Sequence, residues 1–204
     1  GIDSLTDTEI IELLLTFGTP RTDCKQPART ALTELGSLPA VLDAPAGTLT
    51  AIKGIGPKNV FALHFIQGVA RRYLKQRLEG RTYISSSGDV AQYLIHLMRG
   101  LKHEVFTVLY LDATHGIIDS EILSEGTVTV NTVYPRELVK SALQRNASAL
   151  VIAHNHPSGI AEPSQADRQI TRRLQEALGL VDIRVLDHII VGDECVSLAE
   201  RGLI

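Results

Sequence analysis

The chain has 204 residues, 44% of them hydrophobic and 21% charged, with a formal net charge of −3. That length suits one large domain or two modest ones, and the composition excludes a disordered or low-complexity protein. Residues 1–78 carry nine Lys/Arg against seven Asp/Glu and residues 79–204 eleven against sixteen, so neither half is a polybasic nucleic-acid binder.

The first segment reads as helical. Residues 7–16 place Ile10, Leu13 and Leu14 on one face, with Asp7 as N-cap and Gly18 as stop. A second helix is expected over Pro27–Leu35, ending at Gly36, with a short turn of helix at Pro39–Leu42. The stretch TLTAIKGIGPKNVFALHFIQGVARRY then reads as helix, glycine-rich turn and long helix. This makes about five helices and no strand before Gln76. The turn-rich, polar segment LEGRTYISSSGD places a domain boundary near Leu78.

Beyond it, strands and helices alternate. A helix is expected at 88–99, strands at 104–112, 117–124 and 126–130, and a helix at 135–146 opened by Pro135. The apolar strand ALVIAHNH at 149–156 follows, then a helix at 164–178 and strands at 184–192 and 194–200. Mixed elements in this order predict an α+β (α/β mixed sheet) domain. No apolar run approaches the roughly 18 residues of a membrane span. Cys24 and Cys195 are too few and too far apart for a disulfide scaffold, so a reducing cytoplasm is the expected location. The chain opens on Gly1 rather than methionine, and an upstream segment is expected.

The chemistry concentrates in AHNHPSGIAEPSQAD. Residues two apart on a strand share a face, so His154 and His156 present two imidazoles together. Pro157, Ser158 and Gly159 turn the chain, and a helix opening at Pro163–Ser164 can bring Asp167 back to the pair. Two His, one Asp and a water make a four-coordinate zinc site with an open position. Ser164-x-x-Asp167 also fits a capping box, and a lone His-x-His pair is often only hydrogen-bonded. The three features in this order carry the metal reading.

His-x-His, seven residues, Ser, two residues, Asp is the pattern of the JAMM (MPN, JAB) metalloproteases. Residues 84–204 more narrowly resemble the C-terminal domain of the RadC family, through EGTVTVNTVYPRELVKSALQRNASALVIAHNHPSG, PSQADRQITRRL and LDHIIVG. The resemblance implies a cytidine-deaminase-like metal domain over residues 79–204. It implies a smaller all-α domain of helix-hairpin-helix type over residues 1–78. It further implies one zinc on His154, His156 and Asp167, with Ser164 stabilising an oxyanion. In JAMM proteins a glutamate at the start of a strand after the first helix shuttles the proton. Glu104 fits that place, with Glu121 and Glu125 as later candidates. His188, in LDHIIVG, could lie near the site but reads as a half-buried strand histidine bonded to its neighbours. His103 reads as surface, and His64, His96 and His115 have no ligand spacing.

In the first half, AIKGIGPKNV places Gly54 and Gly56 before Lys58 at a helix start, where backbone N–H groups attract phosphate. This resembles a helix-hairpin-helix motif that grips a DNA strand by its phosphates. Arg71, Arg72, Lys75, Arg77 and Arg81 could assist. Three functions stand open. The first is a zinc hydrolase cleaving a peptide or isopeptide bond of a protein substrate, with no membrane partner. The second is a DNA-repair protein or nuclease, which metal-dependent nicking abolished in His154→Ala would favour. The third is an adaptor with a structural metal, which a functional metal-site mutant would select.

Overall fold

The structure, a computed structural model, describes residues 1–126 and 133–204. Most of the strand expected at 126–130, and the side chain of Glu125, lie outside the described residues. The chain divides into two compact units, Gly1–Arg72 and Tyr73–Ile204. The division falls before Leu78 because Leu74 and Leu78, at the end of an unbroken helix, pack into the core of the second unit.

The first unit is built from α1 (Asp7–Gly18), α2 (Lys25–Leu35), α3 (Leu38–Asp43), α4 (Ala46–Ala51) and the opening turns of α5 (Pro57–Leu78). Thr6, not Asp7, caps α1, in a capping box with Glu9. The fully buried residues of α1 are Ile11 and Leu15; Leu14 packs partly against the same core, while Leu13 is half exposed. Gly18 explains this register: a Cβ there would lie 2.6 Å from the backbone nitrogen of Asn59. The face bearing residues 11, 15 and 18 is therefore the one that can close on the start of α5. Asn59, 1% exposed, binds both elements. Its Nδ2 donates to the Leu15 carbonyl at 2.7 Å, and its Oδ1 accepts the Gly56 N–H at 2.9 Å.

In the second unit, α6 (Ser87–Met98), β1 (Glu104–Leu111), β2 (Ile117–Gly126), α7 (Pro135–Gln144), β3 (Ala149–Asn155), α8 (Gln165–Gly179), β4 (Arg184–Val191) and β5 (Cys195–Ser197) follow in order. The five strands form one mixed sheet in the order β2-β1-β3-β4-β5. Only β3 and β4 run parallel. β5 stops at Ser197, shorter than the expected 194–200.

Strand alternation sorts the core into two layers. Val105, Leu109, Val151, Ala153 and Ile189 face α6, packing on Val90, Leu94 and Met98. Phe106, Val108, Tyr110, Leu150 and Ile152 face the other way, onto Leu138 and Ala142 of α7 and Ile170, Leu174 and Leu178 of α8. β3 is buried along its whole length, which is why its sequence reads as a continuous apolar run rather than an alternating one. Among the described residues, no helix is long and apolar enough to cross a membrane.

Candidate metal centre

His154 has the parity of Ile152, so it projects from the end of β3 toward α8. The first turn of α8 carries Asp167 to the same place. His154 Nε2 lies 3.0 Å from His156 Nε2 and 3.1 Å from Asp167 Oδ1, and His156 Nε2 lies 3.4 Å from Asp167 Oδ2. With zinc–ligand bonds of about 2.0–2.2 Å, tetrahedral ligand atoms sit roughly 3.3–3.5 Å apart; the His156–Asp167 separation falls in that range and the two from His154 are a few tenths of an ångström shorter. The donor set matches too. Two imidazole nitrogens and a carboxylate oxygen suit zinc, and two further polar groups back the imidazoles from behind. These three residues are the group among the described residues that could hold a metal ion.

Asp167 fills the capping role that its spacing suggests and, from the same place, faces the two histidines. It is the third residue of α8, and the capping box is complete: Ser164 Oγ accepts the Asp167 N–H at 3.1 Å, and Asp167 Oδ2 accepts the Ser164 N–H at 2.7 Å. Burial opposes its charge, but the neighbouring imidazoles of His154 and His156 and the contact with Ser164 outweigh burial and hold its carboxyl well below the ordinary carboxylate range. The carboxylate beside His156, helped by the Ile160 carbonyl and Glu104, raises that imidazole above its ordinary value against partial burial.

The loop after His156 is anchored by close backbone approach. Asp193 N donates to the Gly159 carbonyl at 2.8 Å, and a Cβ on Gly192 would lie 2.2 Å from that oxygen, so only glycine fits there. The anchored loop presents the Ile160 carbonyl to His156 Nδ1 at 2.8 Å. A recess of about 210 Å³ opens beside it, lined by His156, Pro157, Gly159, Gly192 and Leu101.

The antiparallel register pairs Phe106 with His154 and ends there; Glu104, two residues before Phe106 on β1, has the parity of Phe106 and so lies on the sheet face of His154. Its Oε2 is buried without a hydrogen-bond partner, and the carboxylate acts on the charge of His156. Glu121 pairs with Val108, about 13 Å further along the strand at 3.3–3.4 Å per residue. Its carboxylate is taken up by Tyr110 at 2.5 Å, by Arg145 at 2.5 Å and by Ser141, none of them in the metal group.

His188 differs from its reading in the sequence. It is fully buried rather than half-buried, and its Nε2 lies 2.8 Å from His154 Nδ1. Asn155 and Thr171 were not singled out by the sequence. Asn155 is 2% exposed and hydrogen-bonds the backbone on both sides of Glu104. Thr171 lies one turn after Asp167 and binds His188. The available signal was polarity at buried places: an asparagine closing an apolar strand and a hydroxyl on the inner stripe of a helix must both find partners.

In the helical unit, the Gly56 N–H is occupied by Asn59 Oδ1 and so is not free for phosphate, while Lys58 stands exposed at the start of α5. Three of the five residues of the basic cluster face carboxylates. Lys75 pairs with Asp119 at 2.8 Å, and Arg81 and Arg77 meet Asp89 at 2.6 and 3.9 Å. The cluster therefore adds less to a DNA surface than its sequence suggests.

Comparison with known proteins agrees with this architecture. A UPF0758 protein of Pseudoalteromonas translucida is 47% identical over all of this chain and 92% of its own length. UPF0758 proteins of Aliivibrio fischeri and Vibrio vulnificus are 44% and 45% identical over the same shares. The model of the family described as RadC-like JAB domain matches residues 84–203, more than half of the chain and nearly the whole second unit. On both counts, this chain belongs to the RadC-like JAB domain family.

Proposed function

We propose that the second unit is a zinc-dependent hydrolase of the JAMM type, acting on a peptide or isopeptide bond of a protein substrate. One observation carries the reading. Ligand-type atoms of His154, His156 and Asp167 converge to within 3.0–3.4 Å of one another, and Glu104, whose Oε2 is buried without a hydrogen-bond partner, lies on the same sheet face.

His154, His156 and Asp167 would hold a single zinc, which when bound supplies a Lewis acid and lowers the pKa of a water from 15.7 to about 7. Glu104 takes a proton from the attacking water and returns it to the leaving amine, a role worth typically about 10²–10⁴-fold in rate. A carboxylate oxygen without a hydrogen-bond partner suits that task, since no competing donor holds it. Ser164 steadies the oxyanion. Its Oγ accepts from the Asp167 N–H, and its hydroxyl hydrogen has no acceptor among the described residues.

The reading is tested by metal analysis of wild type beside His154→Ala and Asp167→Ala, followed by an unbiased screen of peptide and isopeptide substrates. Wild type is expected to carry one zinc and to cleave, and both variants to lose metal. Glu104→Gln is expected to keep zinc and to lose turnover by at least about 10²-fold. A fully active Glu104→Gln enzyme would remove Glu104 from the mechanism. Zinc-loaded wild type that cleaves no peptide but nicks DNA would replace the hydrolase reading with that of a nuclease.

A further inference from the structure

The buried polar groups behind the metal group form a chain whose direction can be worked out from its far end. A backbone carbonyl can only accept a hydrogen bond. Thr171 Oγ1 lies 2.5 Å from the carbonyl of Asp167, so its single hydrogen is spent there. Thr171 Oγ1 also lies 2.6 Å from His188 Nδ1, and only its lone pairs remain for that contact. His188 must therefore donate from Nδ1, which leaves the Nε2 of a neutral imidazole as an acceptor. Nε2 faces His154 Nδ1 at 2.8 Å, so His154 donates from Nδ1. The remaining nitrogen of His154, Nε2, then carries a bare lone pair toward His156 and Asp167. All members of this chain are shielded: His188 and Thr171 are fully buried and His154 is 1% exposed.

We propose that His188 and Thr171 are positioning residues that set the tautomer of His154, holding its Nε2 open for the metal. The inference rests on the metal-binding reading above. The chain ties three elements together, since His154 ends β3, His188 lies in β4 and Thr171 in α8. Its end at the Asp167 carbonyl links the two ligands from behind: one is held through its ring, the other through its own peptide group. Ligating histidines generally donate their second ring nitrogen to a carboxylate, carbonyl or water. His156 follows that habit with the Ile160 carbonyl. His154 uses a second imidazole, which accepts in only one of its neutral tautomers, and Thr171 selects that tautomer.

The test uses the full chain loaded with zinc or cobalt(II). Long-range nitrogen–proton NMR correlations on the zinc form are expected to show His154 and His188 both protonated at Nδ1 and not at Nε2. His188→Leu is expected to weaken zinc binding roughly 10–100-fold in competition with a chromophoric chelator, and to shift the visible bands of the cobalt form. Thr171→Val, nearly the same volume without the acceptor, is expected to change the His188 tautomer and to weaken zinc in the same direction. It decides the matter if His188→Leu does not fold. His188→Gln, which keeps an acceptor near the Nε2 place, is expected to recover most of the affinity. A His188 protonated at Nε2, or zinc affinity unchanged in the folded variants, overturns the proposal while leaving the metal site standing. Wild type that binds no zinc overturns the metal reading and this proposal with it.

Discussion

Asn155 separates the placement of Glu104 from the binding of metal. The register of β1 on β3 ends at Phe106 opposite His154, and beyond it the Asn155 side chain takes over from the backbone ladder. Its Oδ1 accepts the Val105 N–H at 2.7 Å, and its Nδ2 donates to the His103 carbonyl at 3.1 Å. These two groups flank Glu104, so one side chain fixes the peptide units on either side of it. Asn155→Ala strands the Val105 N–H in a buried place, at about 1–3 kcal/mol, and forfeits a bond to the less buried His103 worth about 0.5–1.5 kcal/mol. The sum is about 1.5–4.5 kcal/mol. At about 2–4 °C per kcal/mol for a chain of this size, the melting temperature should drop by roughly 3–18 °C. Zinc content should stay at one per chain, because the three ligands remain. Turnover should fall by about 10²-fold, the scale set by an ångström of misplacement at a reacting group. Asn155→Asp keeps the acceptor for Val105 but sets a carboxylate against the His103 carbonyl, so it should recover only part of the stability. Asn155→Ala that melts within a degree or two of wild type at full turnover would refute the clamp.

Ser164 offers a similar separation. Ser164→Ala removes both the cap and the hydroxyl, and should cost about 1 kcal/mol of stability, whereas Ser164→Gly should cost only a few tenths. Both should lose about 10²–10³-fold in turnover if the hydroxyl steadies the oxyanion, and equal activity in all three proteins would remove that role. Glu121 carries a pH prediction. Burial opposes its charge, but bonds from Ser141, Tyr110 and Arg145 lower its carboxyl below the ordinary 4.5. A lowered acid stabilises the fold above its unfolded pKa and loses that contribution as pH falls through the folded value. Glu121→Gln should therefore cost about 1–3 kcal/mol at neutral pH, with a gap to wild type that narrows in denaturation curves as the pH falls through the lowered folded-state value. A gap constant with pH would contradict the assignment. Lys58 tests the helical unit: Lys58→Ala should weaken duplex binding measured by anisotropy and reduce the salt slope by about 0.9 for each phosphate the side chain had neutralised. An unchanged slope would take Lys58 off any DNA surface.

The layer order and the metal group were legible because both follow from periodicity. His154 and His156 share a face by the two-residue repeat, and Ser164-x-x-Asp167 announces where α8 begins. The buried centre of α1 was not legible because Ile10, Leu13 and Leu14 are as apolar as Ile11 and Leu15. The deciding feature was the closeness of Gly18 to α5, which no repeat encodes. Glu104 could be located by its place before an apolar strand, but its separation from Glu121 needed the register of β1 on both neighbours. Thr171, Asn155 and the partners of His188 escaped for a related reason. Each acts through a partner 17 to 50 positions away along the chain, and only strand order brings those positions together.

The capping box and the metal group share one carboxylate, and this removes an apparent conflict between the two readings of Ser164-x-x-Asp167. A carboxylate has two oxygens with about four acceptor sites, so Oδ2 can take the Ser164 N–H and Oδ1 can still face His154. The cap therefore supplies an orientation that a free aspartate rotamer would have to find at an entropic cost. The first turn of α8 adds a positive helix end, which favours the ionised acid that a metal requires. His154 is fixed from behind in the same manner and His156 by the Ile160 carbonyl, so each ligand reaches the centre already held by a second bond. Such a site is ordered before any ion arrives. Its affinity should depend on the backing groups as well as on the ligands, because loosening any one of them returns to binding the entropy that folding had already removed.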